Sequence, residues 1–142
     1  MTTTSENAID ECAAIMTALA AARYPLAEVR WRGKEKGSTP TDKDWFRWTM
    51  QHADGYQASL SNQHGERRWR REGFIIVQCF SLLNNGGLYG AQRMAESVRD
   101  AYQGSSTPGG VWFRNATTQE VGEDRHHFQV NAIVNFNYDE VR

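Results

Sequence analysis

Cysteine is scarce in this sequence, and long apolar runs are missing. Cys12 and Cys79 lie within apolar patterns and have neither CxxC nor Cys/His spacing. We therefore expect two buried free thiols in a reducing compartment. No apolar run approaches the roughly 20 residues of a membrane span, and the N-terminus lacks the basic and apolar segments of a signal peptide. These absences predict a soluble intracellular protein.

An excess of charge of either sign is also missing. Sixteen basic and 17 acidic side chains give a net charge of −1, so no global attraction to nucleic acid or to an acidic membrane is expected. The 142 residues suit one domain, since domains commonly have about 100–150 residues. We expect residues 1–142 to form a single domain that needs no disulfide or metal.

Helical spacing of apolar residues predicts a first helix over Ser5–Arg23, which Pro25 ends. Thr3 and Glu6 have the spacing of a capping box, and Ser5 competes with Thr3 as the N-cap. The buried face of this helix is predicted to carry Ile9, Cys12, Ala13, Met16, Leu19 and Ala20.

A second helix is predicted over Leu88–Gln103. Gly86 and Gly87 precede it, and Gly104 offers the C-cap. Its buried face is predicted to carry Ala91, Met94, Ala95, Val98 and Tyr102.

Alternation of apolar and polar residues predicts the strands. They are Leu26–Trp31, Trp45–His52, Arg67–Ser81, Val111–Thr118 and Phe128–Tyr138. Residues 32–44 are rich in Gly, Lys, Ser and Thr and are predicted to form an exposed loop. The run Phe74–Phe80 is apolar on both faces, which indicates a central strand.

The last strand has the clearest alternation. Its core side is predicted to carry Phe128, Val130, Ala132, Val134, Phe136 and Tyr138. Its other side carries Gln129, Asn131, Asn135 and Asn137, with Ile133 as the exception. The element order α-β-β-β-α-β-β predicts an α+β fold: a mostly antiparallel (mixed) sheet of four to five strands, with two helices packed on one face.

The residues give no catalytic or metal-binding pattern. His126 and His127 are neighbours on a strand and point to opposite faces, so they are unsuited to chelating one ion. The acidic pairs at positions 10–11 and 123–124 face no candidate base or nucleophile, which favours solvated carboxylates. The glycines of residues 84–90 lack the spacing of a phosphate-binding loop. We expect no enzyme activity, no catalytic residue, no metal and no cofactor.

One cluster suggests contact with nucleic acid: Arg67, Arg68, Trp69, Arg70 and Arg71. Arginine contacts phosphates, and tryptophan stacks on bases. The alternative is a charged strand end whose side chains stay in solvent or pair with carboxylates of a neighbouring subunit. Glu66 and Glu72 flank the cluster and weaken its field. The residues leave both interpretations open.

Two segments resemble the tail-terminator proteins of long-tailed bacteriophages, the group related to the lambda minor tail protein U. They are Val111–Thr117 and Glu120–Glu140, the second ending in the pattern Phe-x-Tyr-Asp-Glu. The order of elements is also similar over nearly the whole chain. At residues 32–36 the sequence departs from the Pro- or Asn-rich turn that is common in that group.

The resemblance implies a homo-oligomeric ring, expected to be a hexamer, at the head-proximal end of the tail tube. Such a ring stops polymerisation of the tube and offers a surface to the head. The implied partners are further copies of the chain, the tail tube protein and the head–tail connector protein, with DNA contact only as DNA passes through the ring. The implied location is the virion tail, and the host cytoplasm during assembly.

The residues expected to make these contacts are Arg67, Arg68, Trp69, Arg70, Arg71, Trp112, Arg114 and Asn131. Trp112, opposite Val111 and Phe113, is either an exposed anchor or packed under a surface loop. The segment Gly55–Arg71 is expected to be a polar loop that becomes ordered on contact with the tube. Charge reversal at both Arg68 and Arg70 is expected to impair joining without unfolding the monomer.

Two other functions fit the same residues. One is a different neck or tail-completion adaptor of a phage, which shares the class and the architecture. The other is a nucleic-acid-binding module that uses the arginine cluster, for which salt-dependent binding to DNA would be the sign.

Overall fold

A computed structural model describes residues 2–34, 37–53, 55–59 and 67–142. These residues form two helices and six strands. In chain order they are α1 (Ser5–Arg23), β1 (Glu28–Trp31), β2 (Trp45–His52), β3 (Tyr56–Gln57), β4 (Arg68–Leu82), α2 (Gly87–Tyr102), β5 (Trp112–Glu123) and β6 (His127–Val141). The predicted α+β class is confirmed, with the short β3 as one additional strand.

The strands form one mixed sheet in the order β1-β2-β4-β6-β5, and β3 pairs with the beginning of β4. Strands β1 and β2 are parallel, whereas the other pairs are antiparallel. The predicted central strand is confirmed, since β4 lies in the middle of the sheet. One apolar face of β4 packs against the helices through Ile75, Val77 and Cys79, and on its other face Phe80 stacks on Trp45.

Both helices pack on one face of the sheet and enclose one apolar core. The indole N–H of Trp48 on β2 donates to the Tyr102 hydroxyl over 3.0 Å, and that hydroxyl donates to the Cys12 carbonyl over 2.8 Å. One buried hydroxyl therefore connects α2 to both α1 and the sheet. Cys12 and Cys79 are buried free thiols, as predicted, and burial raises the pKa of Cys12 to about 12.

The N-terminus of α1 differs from both predicted caps. Thr4 is the N-cap, and its hydroxyl accepts from the Asn7 backbone N–H over 3.2 Å. The Thr3 N–H instead donates to the Asp139 carbonyl on β6 over 2.9 Å, which holds Thr3 outside the helix. Ile9 is 39% exposed and Ala8 is fully buried, so the buried stripe of the helix is offset from the predicted one at this end.

Several strand boundaries differ from the prediction, and β6 continues three residues beyond Tyr138 to Val141. Strand β1 begins at Glu28, and Leu26 is 90% exposed. Strand β5 continues to Glu123 because two β-bulges accommodate its irregular residues. The segment predicted as a loop over Gly55–Arg71 contains β3 and the beginning of β4, and its residues 60–66 lie outside the described part of the chain.

Gly73 on β4 permits a close approach of three elements. A Cβ atom at this position would overlap the Gln51 carbonyl oxygen and would lie 2.6 Å from the Phe136 ring. The His52 ring packs edge-on against Phe136 at 5.2 Å and lies within 2.7 Å of the Tyr138 hydroxyl. The glycine therefore makes room for an aromatic cluster at this end of the sheet.

Candidate interaction surfaces

The face of the sheet opposite the helices is called here the open face. Alternation along the strands places these amide side chains on it: Gln51, Gln78, Gln129, Asn131, Asn135 and Asn137. The predicted amide face is confirmed, and Asn131 accepts at Oδ1 from the Gln129 amide over 2.9 Å. Asn137 differs from the others because it is only 3% exposed and its Oδ1 atom has no hydrogen-bond partner.

One end of the open face is closed by aromatic packing. Trp45 stacks on Phe80 with ring centroids 4.1 Å apart, and the Arg47 guanidinium lies 5.0 Å from the Trp45 ring. His127 is 3% exposed, and its Nε2 atom lies 2.8 Å from the Lys43 carbonyl oxygen. This contact ties the predicted loop of residues 32–44 to the sheet.

The arginine cluster lies at the opposite end of the sheet, and two of its members pair with carboxylates of their own chain. Arg70 donates from Nε and Nη2 to the two carboxylate oxygens of Asp139, over 2.5 and 3.3 Å. Arg71 donates to Glu140 over 3.0 Å. The hydrogen bond to Asp139 raises the pKa of Arg70 further above its usual value. These carboxylates belong to the same chain, whereas the sequence suggested that the arginines stay in solvent or pair with a neighbouring subunit.

Arg68 and Arg142 are the more exposed arginines here, with side-chain exposures of 47% and 59%. Arg68 Nε lies 3.8 Å from Asp139, and Arg142 Nε lies 3.4 Å from Glu140. The Arg142 guanidinium also lies 4.5 Å from the ring centroid of Trp69. Sequence reasoning missed Arg142, because the predicted last strand ended at Tyr138 and only the register of the sheet places Arg142 beside Arg67.

Trp112 lies on the open face at 41% exposure, while Val111 and Phe113 are buried. The Arg70 guanidinium lies 5.0 Å from its ring, a cation–π geometry. Trp112 therefore stacks against an arginine side chain, which favours the exposed alternative over packing under a loop. Arg114 is also exposed and lies opposite Asn135 of β6.

The histidines and acidic pairs hold local structure. The pKa of His52 is lowered, first by burial and then by the nearby Arg71 charge. Glu11 accepts from the Gly109 N–H over 3.0 Å, so it is not simply solvated as predicted. Asp124 accepts from the backbone N–H groups of His126 and His127, which lowers its pKa. His64, which the sequence predicts to lie in a polar loop, is outside the described residues.

Among residues 2–34, 37–53, 55–59 and 67–142, no group of three His, Cys, Asp or Glu side chains is placed to hold a metal ion. Within the same ranges, no helix is long and apolar enough to cross a membrane.

A solved structure of a chain without a functional name has a similar fold. The two chains superpose with a TM-score of 0.70 and 16% sequence identity, and the match covers 95% of each. At this identity the likeness shows the fold alone. No protein-family model matches the sequence, and no curated protein matches it.

Proposed function

We propose that this chain is a tail-terminator subunit of a long-tailed bacteriophage, which forms a ring on the end of the tail tube. The ring stops further addition of tube protein and presents a surface to the head–tail connector. Its action is steric, so its functional residues are those that contact other subunits and the tube.

The observation that carries the proposal is the position of the segments that resemble the tail terminators. Residues 111–117 and 120–140 form most of the hairpin of β5 and β6. This hairpin supplies one edge of the sheet and four of the amide side chains on the open face. The resemblance is therefore concentrated on a part of the fold that offers surface to a partner.

A ring needs two different surfaces on each subunit, because its contacts are heterologous and close by rotation. The sheet offers two edges, at β1 and at β5, and the open face between them. Trp112 stands on that face beside the β5 edge, and exposed aromatic residues are common centres of protein interfaces. These features support a subunit that buries its open face on assembly.

The first experiment measures mass by light scattering after size exclusion, with the protein alone and with purified tail tube protein. The expected result is a ring-sized species, together with shorter or capped tubes in electron micrographs. A chain that stays monomeric and leaves polymerisation of its cognate tube protein unchanged would refute the proposal.

A single substitution tests the open face. Trp112→Ala is expected to weaken assembly by at least about tenfold, because a central aromatic contact contributes on the order of 1–2 kcal/mol or more. The matched control is Tyr89→Ala, since Tyr89 is 74% exposed but lies on α2. Equal effects of the two substitutions on assembly, with both variants folded by circular dichroism, would remove Trp112 from the interface.

A further inference from the structure

Two oppositely charged surfaces lie at the two ends of the β5–β6 hairpin. We propose that the basic end of one copy docks on the acidic turn of the next copy, in a head-to-tail contact. The basic end is defined by Arg68, Val141 and Arg142, and the acidic turn by Glu120, Val121 and Glu123. This inference rests on the proposed ring and names one of its contacts.

The basic end keeps a positive charge after its internal ion pairs are counted. The described part of the chain brings five arginines here, at positions 67, 68, 70, 71 and 142, beside three carboxylates, at positions 72, 139 and 140. The charge of the group is therefore 5 − 3, or +2. Arg68 and Arg142 are its more exposed members, and Val141 between them is 49% exposed.

The acidic turn has the complementary composition. Glu120 and Glu123 are exposed, and neither makes an ion pair with a residue that the structure describes. Val121 between them is 54% exposed. With Asp124 and Arg125 included, the charge of the turn is −3 + 1, or −2. Each surface thus has an exposed valine beside charged side chains, and the described residues give the two surfaces opposite net charge.

Their separation makes the contact intermolecular. Glu123 pairs with Phe128 at one end of β6, and Arg68 pairs with Val141 at the other. The 13 residue steps from Phe128 to Val141 span roughly 44 Å at about 3.4 Å per step. A copy cannot bring its own ends together, so docking joins different surfaces of two copies, as a ring requires.

Charge swapping tests the contact. The first variant carries Arg68→Glu and Arg142→Glu, and the second carries Glu120→Arg and Glu123→Arg. Each variant alone is expected to lose self-association by at least about tenfold at low salt, because like charges then meet at the contact. An equimolar mixture is expected to recover assembly, since one variant then offers acidic ends and the other basic ends. Association of the wild type should weaken as salt rises.

Two controls accompany the swap. The double variant Arg32→Glu, Arg93→Glu changes the net charge by the same amount as Arg68→Glu, Arg142→Glu, but at exposed arginines outside both surfaces. It should leave assembly unchanged. Arg68→Gln with Arg142→Gln removes the charges without placing new carboxylates near Asp139 and Glu140. This neutral variant keeps the test valid if the reversed one fails to fold.

The contact is refuted if folded swap variants assemble like the wild type, or if their mixture stays monomeric. A wild type that is monomeric at about 1 mM in low salt also overturns it. Tube capping separates this inference from the proposed function. If the swap variants still form rings that cap tubes, the proposed function is supported and this contact is refuted. If assembly depends on the swaps but tube length does not change, the contact is supported and the proposed function is refuted.

Discussion

Replacing Arg70 with glutamine removes the charge that faces Asp139 across the β4–β6 ladder. The Asp139 side chain is 9% exposed and the Arg70 side chain 26%, so the pair lies between a buried and a surface ion pair. Arg68, at 3.8 Å, is the other cation near this carboxylate. The variant therefore leaves a nearly buried carboxylate with one half-exposed cation, Arg68, at 3.8 Å.

The partial burial of the Arg70–Asp139 pair determines how much stability the substitution removes. Removing one partner of a fully buried pair costs about 3–5 kcal/mol, whereas surface pairs contribute about 0–1 kcal/mol. The cation–π contact of Arg70 with Trp112 adds about 0.5–1 kcal/mol. We expect Arg70→Gln to lower the free energy of unfolding by about 2–4 kcal/mol and Tm by about 6–12 °C.

Urea unfolding followed by circular dichroism measures this loss, with Arg68→Gln as the matched control. The control is expected to cost less than about 1 kcal/mol, because Arg68 is half exposed. A double-mutant cycle of Arg70→Gln with Asp139→Asn should give a coupling of about 2 kcal/mol. An Arg70→Gln variant within about 0.5 kcal/mol of the wild type would refute this reasoning. Charge reversal at Arg70 is expected to destabilise the monomer, contrary to the expectation from the sequence.

Two further predictions concern the helical side of the sheet. Tyr102→Phe should lower the free energy of unfolding by about 1–3 kcal/mol, because it leaves the buried indole N–H of Trp48 without an acceptor. The same substitution should lower it by less in a Trp48→Phe background, and an equal loss there would contradict this prediction. Because the pKa of His52 is lowered from 6.5 in the folded chain, the unfolded chain binds more protons near that pH. The resulting stability is present above pH 6.5 and is lost as pH falls toward the folded pKa. Unfolding measured at several pH values should show a weaker pH dependence for His52→Gln than for the wild type, and identical dependence would contradict this assignment.

Local periodicity was sufficient for much of the fold. The bounds of α1 and β2 were predicted as observed. Apolar residues recur without interruption, at the 3.6-residue period of a helix in α1 and the 2-residue period of a strand in β2, and residues that break the pattern follow at the ends. The central position of β4 followed from its apolar run. The sequence did not predict β3, because two exposed residues carry no alternation, and their pairing partners at positions 69 and 70 belong to another strand.

The caps and ion pairs depended on distant residues. Thr3, Thr4 and Ser5 are all suitable N-caps, and Thr4 takes the position while Thr3 is bonded to Asp139 of β6. Asp139 follows the last amide on the outward side of β6, where alternation alone predicts a solvated carboxylate. Its burial comes from Arg70, which is 69 residues away in sequence. Such pairs require the register of the sheet, and composition does not give that register.

The same register divides the arginine cluster and limits what it contributes to DNA binding. Alternation along β4 sends Arg68 and Arg70 to one face and Arg71 to the other, and each face meets its own carboxylate, Asp139 or Glu140. Two well-exposed guanidinium groups remain at this end, those of Arg68 and Arg142. Because each phosphate contact contributes about −0.9 to the slope of log K against log salt, any binding to duplex DNA should show a slope of about −2. A slope of about −4, measured by fluorescence anisotropy over a salt series, would mean that the pairs with Asp139 and Glu140 open on binding.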